Sequence, residues 1–167
     1  MNIADQNSHS ISLLVNNKPG VLIRIALVFA RRGYNLDSVV VSPAHDQHFS
    51  RMSITASGDI KTLEQIIKQL NKLVDVLHAT DHTADITVEK ELVLIKVKFS
   101  IGKRTEILQI SEHFKCQTVD ISEQTLMIQA TGNTDKIDAL HAMLSKYGIL
   151  EMVRTGKIIM ARGAAHT

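Results

Sequence analysis

The chain contains an internal repeat. Residues 56–63, ASGDIKTL, reappear in altered form as residues 130–137, ATGNTDKI. Similarity at such a spacing is typical of a duplicated structural unit. At 167 residues the chain has room for two small domains at most. Each half is therefore expected to repeat the same order of helices and strands.

Both halves begin with apolar residues at every second position, which predicts a strand with one buried face. These positions are Ile11, Leu13 and Val15 in the first half, and Val93, Ile95, Val97 and Phe99 in the second. The apolar period then changes to 3.6 residues, which predicts an amphipathic helix. Its positions are Leu22, Ile25 and Phe29, and Ile107, Ile110 and Phe114. Gly33 suits the end of the first of these helices, because it adopts a positive φ freely.

A hairpin, a second helix and a last strand complete each half. Hairpin strands are expected at 36–41 with 52–56, and at 118–121 with 126–130. Asp59 and Asn133 then offer side-chain oxygens that suit the N-cap of a helix. The apolar stripe of that helix comprises Leu63, Ile66, Ile67, Leu70 and Leu73 in the first half, and Ile137, Leu140 and Leu144 in the second. The last strands are expected at 74–79 and 150–155.

This order predicts an α+β protein built from two ferredoxin-like βαββαβ domains, each with two helices on one face of a four-stranded antiparallel sheet. The domains are expected at residues 8–82 and 88–163, joined through the polar segment 80–85. Outward positions of the first sheet include Leu14, Leu36, Val40 and Leu77. We expect this apolar face to pair with another subunit or domain. A sheet face left in water by a monomer is the alternative.

Composition excludes several classes of function. A formal net charge of +2 is too small to hold nucleic acid or anionic lipid. Four Phe and two Tyr, none grouped on a central predicted strand, argue against an RNA-stacking surface. Cys116 is the single cysteine and is expected to be a buried structural thiol rather than a nucleophile. The absence of a long apolar run and of a signal-like N-terminus predicts a cytoplasmic protein with no membrane partner.

The segment with the clearest chemical character is NNKPGVL, residues 16–22, between the first strand and the first helix. Pro19 has no N–H to lose, and Gly20 lets a ligand approach the main chain. Free N–H groups at the positive end of a helix suit a carboxylate, and the amide of Asn17 can both accept and donate. A free α-amino acid therefore fits better than a phosphate. A strand-to-helix turn without a ligand is the alternative. The second half has SIGK at 100–103 in the corresponding place, and no effector is expected there.

The turn and four further segments resemble a known family. They are RGYNL at 32–36, SRM at 50–52, LVDV at 73–76 and VEKEL at 88–92. The PGVL turn alone is similar to ACT domains in general. The set together resembles the small regulatory subunit of acetolactate synthase, with a likeness that runs from about Ser10 to Arg162.

The resemblance implies a non-catalytic subunit that works in branched-chain amino acid biosynthesis. Such a subunit binds and activates a catalytic large subunit and confers feedback inhibition by valine, sometimes by leucine or isoleucine. Thiamine diphosphate, Mg and FAD would belong to the catalytic partner, and this chain would hold no cofactor. The allosteric effector would lie at a homodimer interface between two ACT domains.

Carried over position by position, the effector site comprises a turn from one subunit and a strand start from the other. The turn supplies Asn17, Lys18, Pro19, Gly20, Val21 and Leu22, and the facing strand supplies Asn35 and Leu36. Val21, Leu22 and Leu36 are expected to enclose the aliphatic side chain of the effector. Lys18 and Pro19 depart from the acidic or small residues that the family often has at these positions.

The sequence offers further candidate sites and an alternative function. Arg51, after the polar loop 43–51, is a candidate contact to the large subunit, with a solvated hairpin as the alternative. His45 and His48 form an HxxH pattern without a third ligand, so no metal site is expected. An enzyme would need convergent polar residues, which the sequence does not group. A stand-alone ACT-type amino-acid sensor that regulates another enzyme is the main alternative function.

Overall fold

The computed structural model describes residues 8–164 and Thr167, and it divides into two compact units. The first comprises the described residues of Met1–Val88 and Lys157–Thr167, and the second comprises Glu89–Gly156. In this division, residues 157–163, which the sequence assigns to the second domain, group with the first unit. One contact on that side is the hydrogen bond from the Ile159 N–H to Ser53 Oγ (3.3 Å) on a strand of the first unit.

The first unit has the predicted βαββαβ order. Its elements are β1 (Ser8–Asn16), α1 (Val21–Ala30), β2 (Asn35–Pro43), β3 (Phe49–Ser57), α2 (Ile60–Leu70) and β4 (Val76–Asp81). All strand pairs are antiparallel, in the spatial order β2-β3-β1-β4. Both helices pack on one face of this sheet around a single apolar core. The ferredoxin-like fold is confirmed.

The buried stripe of helix α1 differs from the predicted one only at its first position. Val21, Ile25 and Phe29 are its buried residues, whereas the side chain of Leu22 is 49% exposed. The helix ends where expected, and Gly33 takes a φ of +66°. The Asp59 cap is also confirmed, because its carboxylate accepts the Thr62 N–H at 2.8 Å at the start of α2.

Strand β4 begins two residues later than predicted. Val74 is 95% exposed and lies in the turn that precedes the strand. The next residue, Asp75, forms an ion pair with Arg24 and accepts a hydrogen bond from the Asn16 side chain at 3.3 Å. These long-range contacts hold the backbone as a turn at a place where local apolar residues favour a strand.

The apolar outer face predicted for the first sheet holds for three of its four residues, because Leu14, Val40 and Leu77 lie outside the core and Leu36 does not. The register of β2 shifts between Leu36 and Ser38, so that Leu36 packs against the core instead of facing outward. A second irregularity, on β4 opposite β1, leaves Leu77 about half exposed. The outward positions at the sheet centre also carry buried hydroxyls, including Ser12 and Thr55. A bulge adds one residue to a strand and so reverses which residues face the core.

The second unit repeats the topology of the first. Its elements are β5 (Thr87–Lys98), a 3-10 turn (Ile101–Lys103), α3 (Arg104–His113), β6 (Gln117–Ile121), β7 (Thr125–Gly132), α4 (Thr134–Ser145) and β8 (Ile149–Arg154). Strand order is β6-β7-β5-β8, again antiparallel. Asn133 caps α4 by accepting the Lys136 N–H at 3.3 Å. The last strand, β9 (Ile158–Ala161), is the fifth strand of this sheet and pairs with β5.

Within the part of the chain described, no helix is both long enough and apolar enough to cross a membrane.

Candidate functional site

The turn between β1 and α1 is open to solvent. Asn17, Lys18, Pro19 and Gly20 are all exposed. Gly20 is the N-cap of α1 with a φ of +82°, a conformation that favours glycine. A Cβ placed on Gly20 would meet no atom within 4 Å. The main chain is therefore directly accessible to a ligand at this point.

The helix start offers donors without an anionic partner. Among the described residues, no acceptor is seen for the N–H groups of Gly20 and Leu22. The Val21 N–H makes only a long bond of 3.4 Å to the Lys18 carbonyl. The first turn of α1 contains no acidic residue, so its positive dipole end is not compensated within the helix. These groups suit an anion such as a carboxylate.

Neighbouring loops fix the turn in place. The Asn17 main-chain N–H donates to the His48 carbonyl at 2.8 Å, and its side-chain NH₂ donates to the Gln47 carbonyl at 3.0 Å. The Asn16 N–H donates to the Asp75 carbonyl at 2.8 Å on the other side. The amide of Asn17 is therefore already used in part, with its oxygen left for an ammonium group.

Val21 and Leu22 have different roles in the structure. The side chain of Val21 is 4% exposed and belongs to the core, so its methyls are not available to a ligand and only its main chain reaches the turn. This corrects the expectation that its side chain encloses an effector. Leu22 is the exposed apolar side chain beside Gly20. The backbone of the turn and Leu22 are the parts of the sequence-predicted set that the structure brings together.

Asn35 and Leu36 lie at the other end of the same helix. Asn35 is exposed at the start of β2, where its NH₂ donates to Asp37 Oδ1 at 2.7 Å. Helix α1, with ten residues and a length of about 15 Å, lies between Gly20 and Asn35. Leu36 is half-buried against the core of its own domain. One chain therefore does not assemble the two predicted halves of the site.

An apolar strip runs along α1 next to the open turn. Arg24 is the single charged residue within the helix. Leu22, Ile23 and Leu27 are all exposed, Ile23 by 66%. A helix that is apolar nearly all round normally has both faces covered. Strand β2 is also an edge of the four-stranded sheet. The surface formed by this strip and the β2 edge is typical of a contact region.

The RGYN segment has a structural role that the sequence did not reveal. The Tyr34 hydroxyl donates to the Asp59 carbonyl at 2.8 Å, and its ring lies directly over Gly58. A Cβ on Gly58 would overlap that ring. Burial, reinforced by the charge of Asp59, raises the pKa of Tyr34. The tyrosine therefore locks the β3–α2 turn, while the next residue, Asn35, stays exposed.

The first unit also contains a buried cluster of polar side chains that the sequence did not predict. The Ser12 hydroxyl lies 2.7 Å from His82 Nε2, and His82 Nδ1 lies 2.9 Å from Asp85 Oδ2. Ser, His and Asp in this order are found in hydrolases. Here Ser12 and His82 are 5% and 3% exposed, which closes the hydroxyl to a substrate. The group ties the segment after β4 to β1. No local spacing predicts the group, because Ser12 and His82 are 70 residues apart in the sequence.

The remaining candidates lie apart from the turn. Arg51 is exposed and donates to the Thr167 carbonyl at 2.6 Å. His48 is bonded to Asp46 at 2.7 Å in the exposed β2–β3 loop, and the hydrogen bonds from His48 lower the pKa of Asp46. Cys116 is half-buried against the second core, and burial raises the pKa of its thiol. This environment favours the structural role expected for Cys116.

Comparison with known proteins defines the class and then the family. Residues 11–78 match the model of the AHAS small subunit-like ACT domain, so the first unit is an ACT domain. Residues 90–163 match the model of the small subunit of acetolactate synthase.

Relatives match nearly end to end. The chain is 44% identical to the probable acetolactate synthase small subunit of Archaeoglobus fulgidus, over 93% of this chain and 97% of that protein. It is 43% identical to its counterpart in Methanothermobacter thermautotrophicus, over 96% of each. The crystal structure of the small subunit from Thermotoga maritima superposes with a TM-score of 0.85 at 39% identity, covering 95% of this chain and 99% of that one. The chain belongs to the acetolactate synthase small-subunit family.

Proposed function

We propose that this chain is the regulatory subunit of an acetolactate synthase. It binds a thiamine-diphosphate-dependent catalytic large subunit, raises its activity, and confers feedback inhibition by valine. The match to small subunits through both units carries this proposal. The chain itself catalyses no reaction, and thiamine diphosphate, Mg and FAD are held by the large subunit.

The proposed effector site lies between the ACT domains of two copies. The open turn at Gly20 of one copy would bind the carboxylate of valine, and Asn35 of the other copy would bind its ammonium group. Two observations support a shared site. Within one chain, these residues lie at opposite ends of α1, a helix of ten residues that is about 15 Å long. The edge of β2 and the exposed strip of α1 supply a surface on which a second copy can pack.

Inhibition then follows from linkage. Valine shifts the enzyme only if it binds more tightly to the subunit arrangement in which the catalytic partner is slow. A ligand that bridges two ACT domains has this property, because its affinity depends on how the two domains are placed. One methylene in an aliphatic pocket is worth about 1–3 kcal/mol, so leucine and isoleucine are expected to compete with valine.

The proposal is tested with the full chain and a co-expressed large subunit. We expect co-purification, higher acetolactate synthase activity, and inhibition by valine. Asn17→Ala and Asn35→Ala should each abolish inhibition and leave activation intact. Gln65→Ala, an exposed amide truncation on α2, is the matched control. Failure to bind any thiamine-diphosphate enzyme would favour a stand-alone amino-acid sensor instead.

Separate experiments test the homodimer and the contact with the large subunit. Analytical ultracentrifugation should give a dimer at micromolar concentration, and a monomer would remove the shared site. Arg51 is proposed as a contact to the large subunit, reached by exchanging its hydrogen bond to Thr167. Arg51→Ala should weaken activation, and full activation by that variant would exclude this contact.

A further inference from the structure

The second unit contains an open cleft of about 720 Å³ beside the turn between β5 and α3. Its volume lies in the range of small-molecule sites, about 300–1,000 Å³. The turn occupies the same topological place as the Gly20 turn of the ACT domain, but side chains line the cleft rather than bare main chain. We propose that this cleft binds a small molecule through a carboxylate or phosphate group.

The first argument is that the central carboxylate of the cleft is already neutralised. Glu106 accepts a hydrogen bond from Lys103 Nζ at 2.8 Å on one oxygen and from the Tyr147 hydroxyl at 2.9 Å on the other. These hydrogen bonds lower the pKa of Glu106, and the same contact raises the pKa of Lys103. The negative charge of Glu106 is therefore balanced by Lys103, and its carboxylate is held in place. It lines the cleft without serving as a ligand for a cation.

The second argument is that two ammonium groups stay available. Lys98 and Lys146 also line the cleft, and both are exposed. In the region that the structure covers, neither has a carboxylate within salt-bridge distance. Lys146 Nζ lies 4.9 Å from the centre of the Tyr147 ring, a cation–π contact that positions it at the cleft. With Glu123 as the remaining carboxylate of the lining, the cleft keeps an excess of positive charge.

The third argument concerns the rest of the ligand. Phe99 and Tyr147 contribute apolar surface to the same cleft, which suits the carbon skeleton of an organic anion. Lysine binds oxyanions as a flexible point charge and does not require the planar geometry that arginine selects. Carboxylate and phosphate groups share the needed chemistry, so the two sources are separated by experiment.

The test is an NMR titration of the full-length, ¹⁵N-labelled chain at low ionic strength, with glutarate in one arm and inorganic phosphate in the other. Binding should shift the amides of Ser100, Gln124 and Tyr147, which line the cleft. Lys98→Gln combined with Lys146→Gln should weaken binding about tenfold, because each exposed ion contact contributes modestly.

The matched control carries Lys90→Gln and Lys115→Gln, which remove the same charge from exposed positions of the same unit. Shifts with glutarate alone identify a carboxylate site, and shifts with phosphate alone identify a phosphate site. The proposal is overturned if neither probe shifts these amides, or if both double variants bind equally well. Neither valine nor the large subunit enters this experiment, so its outcome is independent of the proposed regulatory function.

Discussion

Gly20→Asp should abolish inhibition by valine while the protein remains folded. The substitution places a carboxylate at the open helix start, where the carboxylate of the effector is proposed to bind. At a separation of 4 Å, two such charges repel by about 1 kcal/mol in bulk water and by about 4 kcal/mol at a protein surface. Valine affinity is therefore expected to fall between about fivefold and about a thousandfold.

The cost to folding is small for reasons visible at the same position. The site has no atom within 4 Å of a new Cβ, so no clash arises. The φ of +82° costs an Asp about 1 kcal/mol. An acidic side chain at the start of α1 recovers about 0.3–1 kcal/mol from the helix dipole, which no acidic residue compensates in this first turn. The two effects nearly cancel.

Gly20→Asn is the matched control, because asparagine has the shape and backbone preference of aspartate without its charge. Calorimetric titration of valine into each full-length variant gives the affinities, and thermal unfolding checks the fold. We expect the Asn variant to retain most of the affinity and the Asp variant to lose it. Equal affinities in the two variants would refute a carboxylate contact at this turn.

Two further predictions concern stability. Gly58→Ala should lower the free energy of unfolding by about 2–4 kcal/mol, because the new methyl displaces the Tyr34 ring and its hydrogen bond; Gly102→Ala, where a Cβ meets open space, should cost less than about 0.5 kcal/mol. Urea denaturation measures both, and equal values would exclude the overlap. Arg154→Met should cost about 3–5 kcal/mol, because it leaves the carboxylate of Glu91, 3% exposed, without its partner at 2.6 Å; adding Glu91→Leu should recover much of that loss, and additive losses would refute the pairing.

Periodicity predicted the elements of the fold because each half carries its apolar residues in register with its own secondary structure. It failed by one residue on α1, since a helix with a single charged side chain has no polar face to fix its rotation. It failed at Leu36 on β2 because a bulge leaves no mark in a local pattern. Leu36 was assigned to the outer face with Leu14, Val40 and Leu77, and the register shift on β2 turns it toward the core.

The sequence predicted the backbone conformation of the candidate turn, but it did not predict the contacts that hold the turn in place. Pro19 and Gly20 predict an open helix start, because the backbone conformation that they favour does not depend on distant residues. The contacts of Asn17 with the β2–β3 loop and of Asp75 with Arg24 are long-range, so the sequence could not show that the turn is fixed from both sides. The Lys103–Glu106–Tyr147 group was missed for the same reason, since Tyr147 lies on the far side of α4 in the sequence.

The length of α1 has a genetic consequence. Because the helix keeps Gly20 and Asn35 apart within one chain, a twofold pair of chains would contain two composite sites, each with a turn from one chain and a strand start from the other. Consider one variant altered only at Gly20 and another altered only at Asn35. Each variant, expressed by itself, would be insensitive to valine. Mixed together, they would form one doubly damaged site and one intact site. Co-expression of two resistant alleles would therefore restore part of the sensitivity that each had lost.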